Sequence, residues 1–168
     1  MIKRLLCSAL GLSSALITLQ TPVSAKYDPG TVELLQTVQR YGATVEYNPT
    51  HCRNSSYSGR YTVNGRRLSL CYSGRPSADA FDTVRHEAWH FLQHCAARRR
   101  GYGDSIRPVA RNTDHRTQWI HRALTRPHIH RIASVYPAHT HAVELEAFAA
   151  ADYYSAAQIA SFIRQWCV

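Results

Sequence analysis

Residues 86 to 90 of the chain read His86-Glu87-Ala88-Trp89-His90. On a helix, residues four apart stack on one face, so two imidazoles at this spacing can aim at a single point. Glu87 projects beside that point. It is placed to take a proton from a water activated by a metal, without itself being a ligand. Zinc held by three protein groups keeps a fourth position open and lowers the pKa of a water there to about 7. Together these groups have the chemistry of metal-assisted amide hydrolysis. With ten histidines and few glutamates in the chain, the pattern arises by composition alone in about one such sequence in a hundred.

A third ligand must come from elsewhere. His94 continues the histidine line, but three histidines along one straight helix spread over about 12 Å, too far for one ion with bonds near 2 Å. An HExxHxxGxxH arrangement needs Gly and His where this chain has Gln93 and Ala96, which excludes a metzincin. The later histidines remain, together with the acidic pair Glu144 and Glu146. Their surroundings, "ELEAFAAA", are otherwise apolar, and a carboxylate buried there is costly unless a cation pairs with it.

The elements that must position these groups follow from periodicity and punctuation. "DPGTVELLQTVQRYG" predicts a helix capped by Asp28 or Thr31, with Val32, Leu35 and Val38 on its apolar face and Gly42 at its end. "ATVEY" alternates like a short strand, and "GRYTVNGRRLSLCY" predicts a β-hairpin turning at Asn64-Gly65. A helix over about 78–97 follows, capped by Ser77, with Phe81, Val84, Ala88, Phe91, Leu92 and Cys95 forming an apolar stripe beside the histidine line. Further helical runs are predicted over Thr113–Leu124 and Pro127–Val135, through "HTHAVELEAFAAADYY", and after a Ser155 cap. The expectation is one mainly helical α+β domain over 26–168, with a small antiparallel hairpin or sheet ahead of the HExxH helix.

Residues 1–25 read as a signal peptide: Lys3 and Arg4, an apolar run from Leu5 to Leu19, then "TPVSA". The run is too short and too interrupted by hydroxyls to span a bilayer. Export to a secreted or periplasmic location would leave Cys52, Cys71, Cys95 and Cys167, an even number in an oxidising compartment. Of three possible pairings, Cys52–Cys71 and Cys95–Cys167 join segments expected to be neighbours. The net charge of +9 is almost all arginine. It is densest between Arg98 and Arg131, where it could meet an anionic surface or an acidic substrate. No nucleic-acid-binding motif accompanies it.

His86-Glu87-Ala88-Trp89-His90, followed some fifty residues later by Glu-x-Glu-x-Phe-Ala on a predicted helix, resembles the small gluzincins among the zincin metallopeptidases. The resemblance spans roughly residues 60–154 in order of elements. It implies one Zn2+ per chain held by His86, His90 and a glutamate of the second helix, with Glu87 as general base. Glu146 fits the Glu-x-Phe-Ala pattern of minimal gluzincins, and Glu144 is the alternative through a Glu-x-x-Ala pattern. The hairpin sits where the family lays its peptide substrate along an edge strand. The family's transition-state stabiliser is a Tyr or His, for which Tyr136, His139, His141 and Tyr153 are the candidates. Two departures stand out. Phe148 and Ala150 occupy the places where many gluzincins carry an acid that orients a zinc histidine, and Asp82 is the nearest substitute.

The function these readings imply is a secreted zinc peptidase acting on peptide or protein substrates. The alternatives are a binding module, whose arginine-rich surface meets an anionic partner around a structural or degenerate metal site, and a metal-buffering protein using its many histidines.

Overall fold

The structure is a computed structural model that describes residues 27–72 and 78–167. The expected signal segment and the Ser77 cap lie outside the described residues. Among the described residues there are six α-helices and one three-stranded sheet, which packs against α1 and α2. The order is α1 (Pro29–Arg40), β1 (Thr44–Tyr47), β2 (Gly59–Thr62), β3 (Arg67–Leu70), α2 (Ala78–Arg99), α3 (Thr113–Ala123), α4 (Arg126–Val135), α5 (His141–Tyr153) and α6 (Ala156–Trp166). This is the mainly helical α+β architecture expected.

Local chemistry accounts for the element ends. The Asp28 carboxylate caps α1 by accepting from Thr31 N–H, and Gly42, at φ 92°, lets the chain leave the helix. The buried face of α1 is led by Leu34, Leu35 and Val38, while Val32 is only partly covered. Ser155 starts α6 with a reciprocal capping box to Gln158.

The sheet departs from expectation in one respect. β2 and β3 form the antiparallel hairpin, with Tyr61 opposite Leu68, but β1 joins β3 in parallel, giving the order β1-β3-β2. β3 contributes Leu68 and Leu70, both fully buried, and so takes the centre, where it pairs on both sides. β2 is left as an edge. A purely antiparallel sheet was expected because pairing between strands distant in sequence leaves no turn signature.

α2 packs against β2, β3, α1, α5 and α6. Its apolar residues Val84, Ala88, Phe91 and Leu92 are buried, and so are His86, Glu87, His90, Gln93 and His94. A helix covered all round must pair its polar side chains inside the protein. α3 and α4 form a second small core on α5 through Ile120, Leu124, Ile132 and Ala149. The disulfides are Cys52–Cys71, holding the loop before β2 to the end of β3, and Cys95–Cys167, holding α2 to the end of α6. Both pairings match the expectation and accord with an oxidising environment. Among the described residues no helix is long and apolar enough to cross a membrane.

Candidate metal centre

Two faces of α2 carry different polar groups. His86, Trp89, His90 and Gln93 turn toward α5, whereas Thr83, Glu87, Phe91 and His94 turn toward β2.

On the α5 side, His86 Nε2 and His90 Nε2 lie 3.0 Å apart, and Glu144 Oε2 is 3.4 Å from each. Ligand bonds of 2.0–2.1 Å arranged tetrahedrally put donor atoms about 3.3 Å apart, so the three atoms already stand at the edges such an ion requires. Glu144 Oε2 is buried and makes no aligned hydrogen bond. A buried carboxylate oxygen facing two imidazole nitrogens at this spacing fits a divalent cation, and without one it is matched by protonated His90. Burial alone would raise the Glu144 carboxyl, but the hydrogen-bonding and charge of His86 and His90 outweigh it and hold its pKa at about 2. His90 feels the converse. Desolvation lowers its pKa, Glu144 and Glu87 raise it more, and the net shift is upward.

The structure therefore brings Glu144, not Glu146, to the histidines. Glu146 is fully buried and faces elsewhere. Its carboxylate accepts from Gln93 Nε2 at 2.8 Å, Val109 N at 2.7 Å, Ala110 N at 2.9 Å and Trp89 Nε1 at 3.3 Å. Four donors satisfy the charge that the sequence reading assigned to a metal. Glu146 instead anchors the loop between α2 and α3, with Arg100 donating to the carbonyls of Pro108 and Val109 in the same loop.

Gln93 is the member of this candidate site that the sequence alone did not single out. Its Nε2 donates to Val143 O and Glu146, which fixes the amide so that Oε1 accepts from His90 Nδ1–H at 2.8 Å. That bond leaves the His90 Nε2 lone pair for a metal. The signal was available as a polar side chain three residues after a ligand on the same helix. His86 has no such support: its Nδ1 is buried without a partner, and the Phe148 ring lies 4.3 Å from its own. Asp82, the expected substitute, pairs with Arg85.

His94 is remote from this cluster. Its Nε2 faces Asp104 at 3.1 Å and its Nδ1 faces the Tyr61 hydroxyl at 2.6 Å. A carboxylate only accepts, so in the neutral ring Nε2–H donates to Asp104 and Tyr61 donates to Nδ1. The other close group of potential ligands, His51 with Cys52 and Cys71, is spoken for because both sulfurs are disulfide-bonded.

His86 and Glu87 line a cleft of about 680 Å³ whose walls come from Ser56–Gly59, the N-terminal half of α2, α4 and α5. Ile132, Val135 and Phe148 make one wall apolar, and Asp79, Asp82 and Asp152 face it alongside His128 and Arg131. The net positive charge of the chain is thus not concentrated in the cleft. Of the four stabiliser candidates, only Tyr136 lines it. Burial, then the charges of Glu144 and Glu87, push the Tyr136 hydroxyl up to about 12. His141 Nε2–H donates to the Tyr136 carbonyl at 2.7 Å, positioning that residue from behind. His139 is exposed on a 3-10 turn, and Tyr153 is exposed against Tyr154.

β2 borders the same cleft. The Ser58 carbonyl accepts from Cys71 N–H, so Ser58 and Arg60 turn their backbone groups toward β3. By alternation, Gly59 and Tyr61 turn theirs to the free edge. No known protein family, curated protein or solved structure matches the chain.

Proposed function

We propose that this chain is a zinc-dependent peptidase of the gluzincin type, with His86, His90 and Glu144 as ligands. The observation that carries the proposal is the convergence of three buried donor atoms, one of them an orphaned carboxylate oxygen, beside a fourth group that does not join them. That group, Glu87, sits on the β2 side of the same helix and opens into the cleft. A bound zinc ion would supply Lewis acidity, polarising a carbonyl and lowering the pKa of water.

The remaining work falls to the protein's own side chains. Glu87 takes the proton of the attacking water and returns it to the leaving amine. Tyr136 is neutral at physiological pH and reaches the cleft from the opposite wall, so it can donate a hydrogen bond to the oxygen that gains charge. The outward-facing backbone of β2 offers an extended peptide a strand to pair with. The Gln93 contact holds His90 in the tautomer that ligates. Secretion through the signal-like start belongs to the same reading and is supported by the two disulfides.

The test is zinc content and turnover in the parent and in Glu87→Gln, measured across a broad peptide library. Both proteins should hold one zinc per chain. Gln is nearly isosteric with Glu but cannot accept the proton, so turnover should fall by about 10²–10⁴-fold. Equal turnover in the two would reject the mechanism. Several zinc ions per chain would favour metal buffering.

A further inference from the structure

The position facing Glu87 across the β2–α2 contact is a glycine, and the approach there is too close for a Cβ unless a neighbouring side chain or the strand shifts. A Cβ built on Gly59 would lie 2.8 Å from Glu87 Cγ, 3.1 Å from Glu87 Oε1 and 2.4 Å from Thr83 Cγ2. Gly59 does not have a positive φ, so its backbone conformation places no demand for glycine. The demand is steric and comes from α2. β2 is also the edge strand, and Gly59 turns its N–H and C=O outward where the strand borders the cleft.

We propose that Gly59 is a positioning residue for Glu87: its missing side chain lets the free edge of β2 lie directly over the Glu87 carboxylate, fixing the rotamer of the general base and the distance between it and an extended peptide paired to that edge. The proposal rests on the peptidase reading for its functional half. Its structural half stands on the contact alone.

Contacts under 3.0 Å must be relieved, either by moving the strand off the helix or by turning the Thr83 and Glu87 side chains to other rotamers. In the first case the peptide is lifted from the base. In the second the base is turned from the peptide. A displacement of about 1 Å at a reacting group costs on the order of 10²-fold in rate. His86 and His90 turn from α2 toward Glu144 on α5 rather than toward β2, so the ligand set should not register the change.

Gly59→Ala tests this, with Gly59→Ala/Thr83→Ser as the control for folding. Thr83→Ser removes the Cγ2 atom at 2.4 Å but keeps the hydroxyl that donates to Asp79 O, leaving the Glu87 clash as the main one. The double variant should recover the thermal stability lost by Gly59→Ala and retain one zinc per chain. It should still turn over about 10²-fold more slowly than Thr83→Ser alone. If turnover returns together with stability, Gly59 is merely a packing residue and the proposal fails. A crystal structure of the metal-free double variant is the readout that needs no activity. A displaced Glu87 carboxylate with β2 in place supports the proposal, and an unmoved Glu87 beneath an unmoved strand overturns it. If the parent and Glu87→Gln already turn over equally, the peptidase reading has failed separately, and the crystal structure alone decides whether Gly59 sets the Glu87 rotamer.

Discussion

Gln93 accepts the Nδ1–H of His90 at 2.8 Å from one turn further along the same helix. The amide cannot rotate away, because its nitrogen is committed to Val143 O and Glu146. Groups in this relation to a zinc histidine typically contribute 10–100-fold to metal affinity. Gln93→Leu should therefore weaken zinc binding by about that factor, read by competition with a chromogenic chelator. Unchanged affinity would separate Gln93 from the metal centre.

Glu144 and Glu146 should respond oppositely to truncation. Among the described residues, Glu144 supplies the carboxylate grouped with the two histidines, so Glu144→Ala should abolish stoichiometric zinc binding while leaving the metal-free protein folded. Glu146→Leu removes the acceptor of the partly buried N–H groups of Val109 and Ala110 and of the buried Gln93 amide, and a buried donor left unmet costs about 1–3 kcal/mol. It should lower the Tm markedly, and affect zinc mainly through Gln93. Chemical denaturation and zinc titration of the two variants check the assignment, and the reverse pattern would return the ligand role to Glu146.

Proton competition gives the metal-free and zinc-loaded proteins opposite pH responses. The Glu144 pKa is depressed to about 2 from 4.5, so its contribution to stability is complete above pH 4.5 and lost as pH falls through 2. The His90 pKa is raised above 6.5, so its contribution is complete below pH 6.5 and lost as pH rises through the shifted value. The metal-free pair thus stabilises most between about pH 4.5 and 6.5. Zinc needs His90 unprotonated, so the rise in Tm on adding zinc should grow with pH, with affinity changing about tenfold per unit while one proton is displaced. Thermal scans from pH 5 to 8 with and without zinc test both slopes. A zinc effect that shrinks as pH rises would contradict the ligand set.

The disulfides should differ in weight. Cys95–Cys167 closes a loop with sequence separation 72 and Cys52–Cys71 one of 19, which in the loop-entropy model gives about 4 and about 3 kcal/mol. Cys95→Ser/Cys167→Ser should be the more destabilising double replacement in urea denaturation.

Much of the fold was legible because its signals are local. The HExxH helix, the hairpin, the Asp28 and Ser155 caps and the helix over 141–153 all announce themselves within a few residues, although the hairpin turn takes its positive φ at Gly65 and Arg66 rather than at Asn64 and Gly65. So did the histidine pair, since four-residue spacing suffices to define it. The choice between Glu144 and Glu146 did not. The two point about 200° apart on a helix, and α5 is apolar on nearly every side, so its sequence does not say which face meets α2. That phase is decided by the Ala147 and Ala150 packing and by the loop N–H groups that claim Glu146. The parallel pairing of β1 with β3 was hidden for a similar reason, because its hydrogen bonds join strands separated by the whole of β2. Gln93 was read only as the absence of a glycine, although its spacing from His90 carried the information.

The two disulfides also differ in when they can form. Cys52 and Cys71 leave the ribosome close together and can be joined while most of the chain is still being made. Cys95 must wait for Cys167, which emerges only after α3, α4, α5 and α6. The bond that secures the helix bearing His86 and His90 therefore cannot form before the helix bearing Glu144 has been synthesised. A chain cut short between Glu144 and Cys167 would own every proposed ligand and still lack the bond that fixes their helix in place.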